Sequence, residues 1–382
     1  MKASVAIVLM VVFTKNVGTA QSNIYDSIFI GNGWRTYLTH LPKGFNNSGR
    51  YPLLLAFHGG QKNNADVGWT AIAYQSKLSQ KADAERFIVV YPEGTVFNKN
   101  RTWNAGNCCP PALNQKVDDV GFVDYLLDTL FADYPIDSSR VYATGSSNGG
   151  MLCYRLACEL SNRFAAVAPN ACSQMYFPCQ PTRKVPIINF HSNADMEVPA
   201  GGGIGTGPSG VQMTSQDSTL KIWRQLNNCA SVSKEIDGKG SNFDFIRMHN
   251  CDCGVEFHHY LTSDGGHSWP GGNPNNNPVS SQISATDLLW NFFKNYTLNC
   301  KTTNTTENVR SGLELYPNPA KGEIFIAHLT DSLPYAIFNT MGQLMQSGQT
   351  TSSIPVEELP SGFYTIKIGK YQHFKTYKFV RQ

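Results

Sequence analysis

Two short segments, Leu53–Phe57 and Phe87–Tyr91, are apolar at every position, with no polar alternation. A strand of an open antiparallel sheet alternates between core and solvent. An unbroken apolar run of five residues instead reads as a strand buried on both faces. Such strands need helices above and below them. The intervening segments supply helical patterns: Ala71–Ala84 looks helical, and Val120, Val123, Leu126, Leu127, Leu130, Phe131 and Tyr134 share helical spacing. Further strands are expected at Arg140–Thr144, Phe164–Ala168, Pro186–His191 and Glu256–Leu261, with a closing helix over Ile283–Asn295. Alternation of this kind predicts an α/β fold, with a mostly parallel sheet covered by helices on both faces.

The chain divides into unlike parts. Lys2, the apolar stretch Ala3–Phe13 and the small residues Gly18-Thr19-Ala20 read as a signal peptide over residues 1–20. That stretch is about half the ~20 residues a spanning helix needs, so no transmembrane anchor is expected. All ten cysteines lie between 108 and 300. In an exported chain an even count implies disulfides, with Cys229 paired to Cys251 or Cys253 as one option. The close pairs Cys251-x-Cys253 and Cys108-Cys109 lack the two-residue gap of a zinc knuckle, so no metal is expected. A catalytic body is assigned to 21–300 and a polar Thr/Asn-rich linker to 301–311. Short β-type runs separated by turns over 312–382 predict a small antiparallel sandwich. With 41 % apolar and 15 % charged residues and a net charge of +3, the chain is globular. That charge gives no case for a nucleic-acid partner.

Gly145-Ser146-Ser147-Asn148-Gly149 is a G-x-S-x-G sequence between an expected strand and an expected helix. That setting defines a nucleophile elbow, a sharp turn that lifts the central serine above the sheet. Ser146 is the nearest competitor, but only Ser147 has glycines at both −2 and +2. A serine hydroxyl needs a base. In hydrolases of this order the base comes last, after the acid. His267, in the loop after the last body strand, fits. Asp195, four residues past the 186–191 strand, is the expected orienting acid; Glu197 is the runner-up, and Asp264 lies too close to His267 in sequence. An oxyanion hole would take the Asn148 N–H and a second N–H at Gly60 or Gln61, in the His58-Gly59-Gly60-Gln61 stretch. Trp103 and Trp269 are candidates to line the substrate site.

Five blocks carry a family resemblance: Ala143–Met151, Trp103–Gly106 with Cys108-Cys109, Val117–Phe122, Arg155–Glu159 and Gly266–Gly272. Over roughly 25–298 the chain resembles the esterase family that joins secreted feruloyl and acetylxylan esterases (carbohydrate esterase family one) to polyhydroxybutyrate depolymerases. The resemblance implies an α/β-hydrolase fold and a Ser147-Asp195-His267 triad with no cofactor. It also implies an ester-bearing polymer or oligosaccharide as substrate. The chain departs from the family at His191-Ser-Asn-Ala-Asp195, where His-Gly-Thr more often precedes the acid, and in the glycine-rich stretch Gly201–Gly210 near the site.

Feruloyl or acetyl esters of plant cell-wall polysaccharide are the favoured substrates, and the Ser-Ser-Asn-Gly-Gly elbow leans that way. An extracellular polyhydroxybutyrate depolymerase is the rival enzyme, and a non-catalytic carbohydrate-binding surface protein the rival of another class. Leu315–Pro319, Ile337–Gly342, Leu359–Tyr364 and Lys378–Gln382 resemble the C-terminal sorting domain of the type IX secretion system. That implies its machinery as a partner and a secreted or cell-surface location.

Overall fold

The computed structural model describes residues 22–298 and 315–382, apart from 32, 63–67, 237–242, 327–331, 341–342 and 370–374. The expected signal peptide, Cys300 and the expected linker lie outside the described residues. The chain divides into two units, residues 1–303 and 304–382.

The body is built on one ten-stranded sheet: β1 (Ser22–Ile30), β2 (Gly33–Leu41), β3 (Tyr51–Phe57), β4 (Ile88–Pro92), β5 (Ile136–Ser146), β6 (Ala166–Asn170), β7 (Ile187–Ser192), β8 (Ser231–Ile236), β9 (Phe243–His249) and β10 (Phe257–Thr262). Its order is β1-β2-β4-β3-β5-β6-β7-β10-β9-β8. The six central strands, β4 to β10 in that order, run parallel. An antiparallel pair flanks them on each side. The apolar runs are central: every residue of β3 and β4 is buried. Among the described residues no helix is long and apolar enough to cross a membrane.

Among the described residues six α-helices cover the sheet: α1 (Gly68–Ser76), α2 (Leu78–Glu85), α3 (Asp119–Asp133), α4 (Asn148–Glu159), α5 (Gln216–Leu226) and α6 (Ala285–Phe293). Buried residues of α3, α4 and α5 join one core with Leu53, Leu55 and Phe57. Those of α1, α2 and α6 join the other with Leu54 and Ala56. Alternate residues of one strand therefore feed two cores, as an α/β-hydrolase fold requires. The expected helix over 71–84 is two helices. Lys77 adopts a left-handed conformation between them, and the Ser76 hydroxyl donates to Ile72 O at 2.6 Å.

Three disulfides join described residues, Cys108–Cys109, Cys158–Cys179 and Cys229–Cys251, and Cys253 is disulfide-bonded as well. Cys153 and Cys172 remain buried thiols. The tail unit holds two antiparallel sheets. One has three strands in the order 315–316, 323–326, 353–355 and the other four in the order 344–350, 333–339, 362–368, 375–381. Ile324, Ile337, Ile354, Val356 and Ile366 fill the core of this unit.

Candidate active site

β5 ends at Ser146 and α4 begins at Asn148, so Ser147 alone makes the turn. Its backbone sits at φ 57°, ψ −125°, a region that costs a non-glycine residue free energy and persists only where neighbours enforce it. Two glycines permit that crossing. A Cβ on Gly145 would lie 2.6 Å from the Gly149 carbonyl carbon, and one on Gly149 would overlap the carbonyl oxygens of Phe57 and His58. The Ser147 N–H donates to Asn170 O at 2.8 Å, which pins the turn to the end of β6.

Asp195 and His267 meet across the sheet rim. The His267 Nδ1–H donates to Asp195 Oδ2 at 2.8 Å. The other carboxylate oxygen accepts the N–H groups of Glu197 (3.0 Å) and Val198 (2.9 Å). Burial pushes the Asp195 carboxyl up, but the bond and charge of His267, with His191 and the Val198 amide, hold it below the ordinary carboxylate range. Burial alone would lower the His267 imidazole. The bond to Asp195, its charge and that of Glu197 outweigh burial and raise it above the ordinary imidazole value. A dyad of this polarity favours the imidazolium over the neutral ring once a proton is taken up.

Ser147 and His267 line the same cavity of about 500 Å³ and are not hydrogen-bonded to each other in this state. Catalytic hydrogen bonds often tighten only when substrate is bound. Asn170 fixes the mutual register of the two loops: its Nδ2 donates to Ser146 Oγ (3.1 Å) and to Ser268 O (3.0 Å), one neighbour of each catalytic candidate. The Ser192 hydroxyl donates to Gly265 O and ties the end of β7 to the loop of His267. His191 donates from Nε2 to Val198 O at 2.9 Å, holding the loop whose amides grip Asp195.

The oxyanion side is narrower than expected. The Gln61 N–H donates to Arg101 O at 2.9 Å, a bridge returned by the Arg101 N–H to Gln61 O, so Gln61 is engaged. Among the described residues no such bond occupies the amides of Gly60 and Asn148, and both residues line the cavity. Gly59 packs beside the turn residue; a Cβ there would lie 3.2 Å from that of Ser147.

The two tryptophans are a correction. Trp103 and Trp269 are 0 % and 1 % exposed and sit in the core, not on the cavity wall. Each indole N–H is spent inside the protein, that of Trp103 on His58 O and that of Trp269 on Thr286 Oγ1, both at 2.9 Å. Among the described residues no Phe, Tyr or Trp lines the cavity. Its apolar wall includes Met151, Val198, Met213 and the run Cys109-Pro110-Pro111, and side-chain amides, Lys62 and Glu197 are among the polar groups that line it.

Three supporting side-chain roles escaped sequence reasoning. The Asn148 side chain accepts the Trp103 N–H at 2.6 Å and donates to Trp103 O at 2.9 Å, clamping that segment to the start of α4. His58 is buried and accepts the Gly94 N–H at Nε2 (3.0 Å), which leaves Nδ1–H to donate to Gly59 O (2.6 Å). Asn170 is the third. Nothing in a lone sequence marks an asparagine as the bond between two distant loops.

The sheet and its helical layers define the α/β-hydrolase class of fold. Residues 31–237, more than half of the chain, match the model of the esterase family, and the chain belongs to that family. Residues 314–382 match the secretion-system C-terminal sorting domain, which makes this an extracellular or cell-surface protein. The chain is similar to feruloyl esterase B of Piromyces equi, 28 % identical over 243 residues, covering 61 % of this chain and 42 % of that protein. It is also similar to the bifunctional acetylxylan esterase/xylanase XynS20E of Neocallimastix patriciarum, 26 % identical over 255 residues, covering 65 % of this chain and 31 % of that protein. A shorter match is the poly(3-hydroxyalkanoate) depolymerase C of Paucimonas lemoignei, 31 % identical over 136 residues, 35 % of this chain and 30 % of that protein. The chain thus spans less than half the length of each of these relatives.

Proposed function

We propose that this chain is a secreted serine carboxylic-ester hydrolase that cleaves polymer-linked esters, feruloyl or acetyl esters of plant cell-wall polysaccharide. The observation that carries the reading is the Asp195–His267 bond at 2.8 Å, opening with the strained Ser147 turn into one cavity. Ser147 Oγ attacks the ester carbonyl while His267 Nε2 takes its proton. The N–H groups of Asn148 and Gly60 face the developing oxyanion. The imidazolium returns its proton to the leaving alcohol. Water then attacks the acyl-enzyme through the same base, and the acid is released. Asp195 keeps Nδ1 protonated, so Nε2 stays the proton acceptor.

Two features support the substrate class. A cavity of about 500 Å³ accommodates a small acyl group together with part of its alcohol. Its Met151–Val198–Met213 wall suits an apolar acyl group, while Gln75, Asn100, Asn114 and Asn276 offer amides to a hydroxyl-rich alcohol. The depolymerase reading draws on the 31 % identity over 136 residues to such an enzyme. Ser147→Ala is expected to lower kcat by up to about 10⁶-fold and abolish labelling by a fluorophosphonate probe. A variant that kept most of its turnover would refute the serine assignment. Release of ferulate, acetate and 3-hydroxybutyrate from polymers, measured side by side, decides the substrate. The export signals would work through the type IX secretion machinery, with the tail as its recognition element.

A further inference from the structure

Glu197 has no assigned role once Asp195 holds Nδ1 of His267. It nevertheless faces the other nitrogen. Its Oε2 lies 3.9 Å from His267 Nε2, and Asn277 Nδ2 donates to its Oε1 at 3.1 Å. Glu197 lines the catalytic cavity with Ser147 and His267. The glycine-rich stretch 201–210, otherwise unexplained, packs on it: a Cβ at Gly205 would overlap the Glu197 carbonyl oxygen. Thr206 donates its N–H to Met196 O at 2.8 Å, and Gly207 joins the cavity wall. This segment therefore fixes the backbone from which the carboxylate projects. Ser147 makes no bond to Nε2 in the same structure, so a carboxylate is the anionic group beside the nitrogen that must accept the serine proton.

We propose that Glu197 is a positioning residue that holds the Nε2 edge of His267 in the resting enzyme, competing there with the Ser147 hydroxyl. The proposal rests on the serine-esterase reading above. When Nε2 is protonated it donates toward Glu197, and the imidazolium is held between two carboxylates. Loss of that proton to solvent ends the attraction and frees Nε2 for Ser147. The neighbouring charged and titratable groups are Asp195 at Nδ1, His191 behind Asp195, and Lys62 on the cavity wall; Asp264 in the loop of His267 is engaged by Ser280 Oγ and the Ser281 N–H. Glu197 is the one carboxylate on the Nε2 side among the described residues of the cavity wall. Its charge adds to that of Asp195 in favouring the imidazolium.

The test compares the full-length protein with Glu197→Gln and Glu197→Asp, using a small soluble aryl acetate. Glu197→Gln is expected to move the acidic limb of kcat/KM to lower pH. The fraction of plateau rate kept on that limb should rise on the order of threefold. Glu197→Asp, with its carboxylate drawn back by one methylene, should fall between. The His267 imidazole, followed by NMR across pH, should titrate lower in Glu197→Gln; that readout needs no serine chemistry. Superimposable limbs and titrations in all three proteins would overturn the proposal. So would a limb that moves while the imidazole titration does not. Retained turnover in Ser147→Ala overturns the underlying serine reading instead, whatever Glu197 does.

Discussion

Asp195→Asn isolates the tautomer argument, because the structure dictates how the new amide must sit. Asp195 Oδ1 accepts two backbone N–H groups, those of Glu197 and Val198. An amide nitrogen cannot accept them, so the asparagine oxygen must take that side. Its NH₂ is then forced toward His267 Nδ1, where the carboxylate had accepted a hydrogen bond from Nδ1–H at 2.8 Å. The NH₂ donates to a bare Nδ1, and the imidazole carries its proton on Nε2. That nitrogen can no longer take the serine proton. The expected loss is roughly 10⁴-fold in kcat, about 5 kcal/mol of barrier. KM should change little, because Asp195 is 2 % exposed and does not line the cavity. Steady-state hydrolysis of an aryl acetate from pH 5 to 9 measures it, with thermal melting to show that the fold survives. A variant within tenfold of the parent at its optimum would refute the tautomer reasoning and return Glu197 to candidacy as the orienting acid.

Two further outcomes follow from buried polar groups. Asn148→Ala keeps the Asn148 amide but orphans the Trp103 N–H and C=O inside the core, at about 2–4 kcal/mol in total. The melting midpoint should fall by roughly 5–10 °C; an unchanged midpoint would mean the clamp is dispensable. Acid should destabilise the body through three buried neutral histidines. Burial lowers His58 to about 3, His191 to about 4 and His259 to about 3. Their folded values are depressed, so the unfolded chain binds protons first. Stability present above the ordinary imidazole value of about 6.5 is lost as pH falls toward those folded values. Melting midpoints measured from pH 7.5 to 4 should drop along that range; a flat profile would contradict it.

Much of this architecture is legible in local sequence, because its cause is local. Unbroken apolar runs such as Leu53–Phe57 must be buried on both sides, and helical spacing over 120–134 supplies a cover. The Gly145-x-Ser147-x-Gly149 spacing identifies the turn because only glycines permit the backbone crossing seen there. Chain order singles out His267 among the histidines. Packing settles the rest. The tryptophans at 103 and 269 look like an aromatic wall in sequence, yet burying so large a surface draws both into the core. Gln61 stands in the right loop for an oxyanion donor, yet its amide is taken by Arg101, 40 residues away in the chain. Glu197 and Asp195 are two carboxylates two residues apart, chemically interchangeable on paper. Only the turn after β7 decides that one meets Nδ1 and the other faces Nε2. Residue type and spacing determine which chemistry is available; which atom faces which is a property of the folded contacts, and no local pattern encodes it.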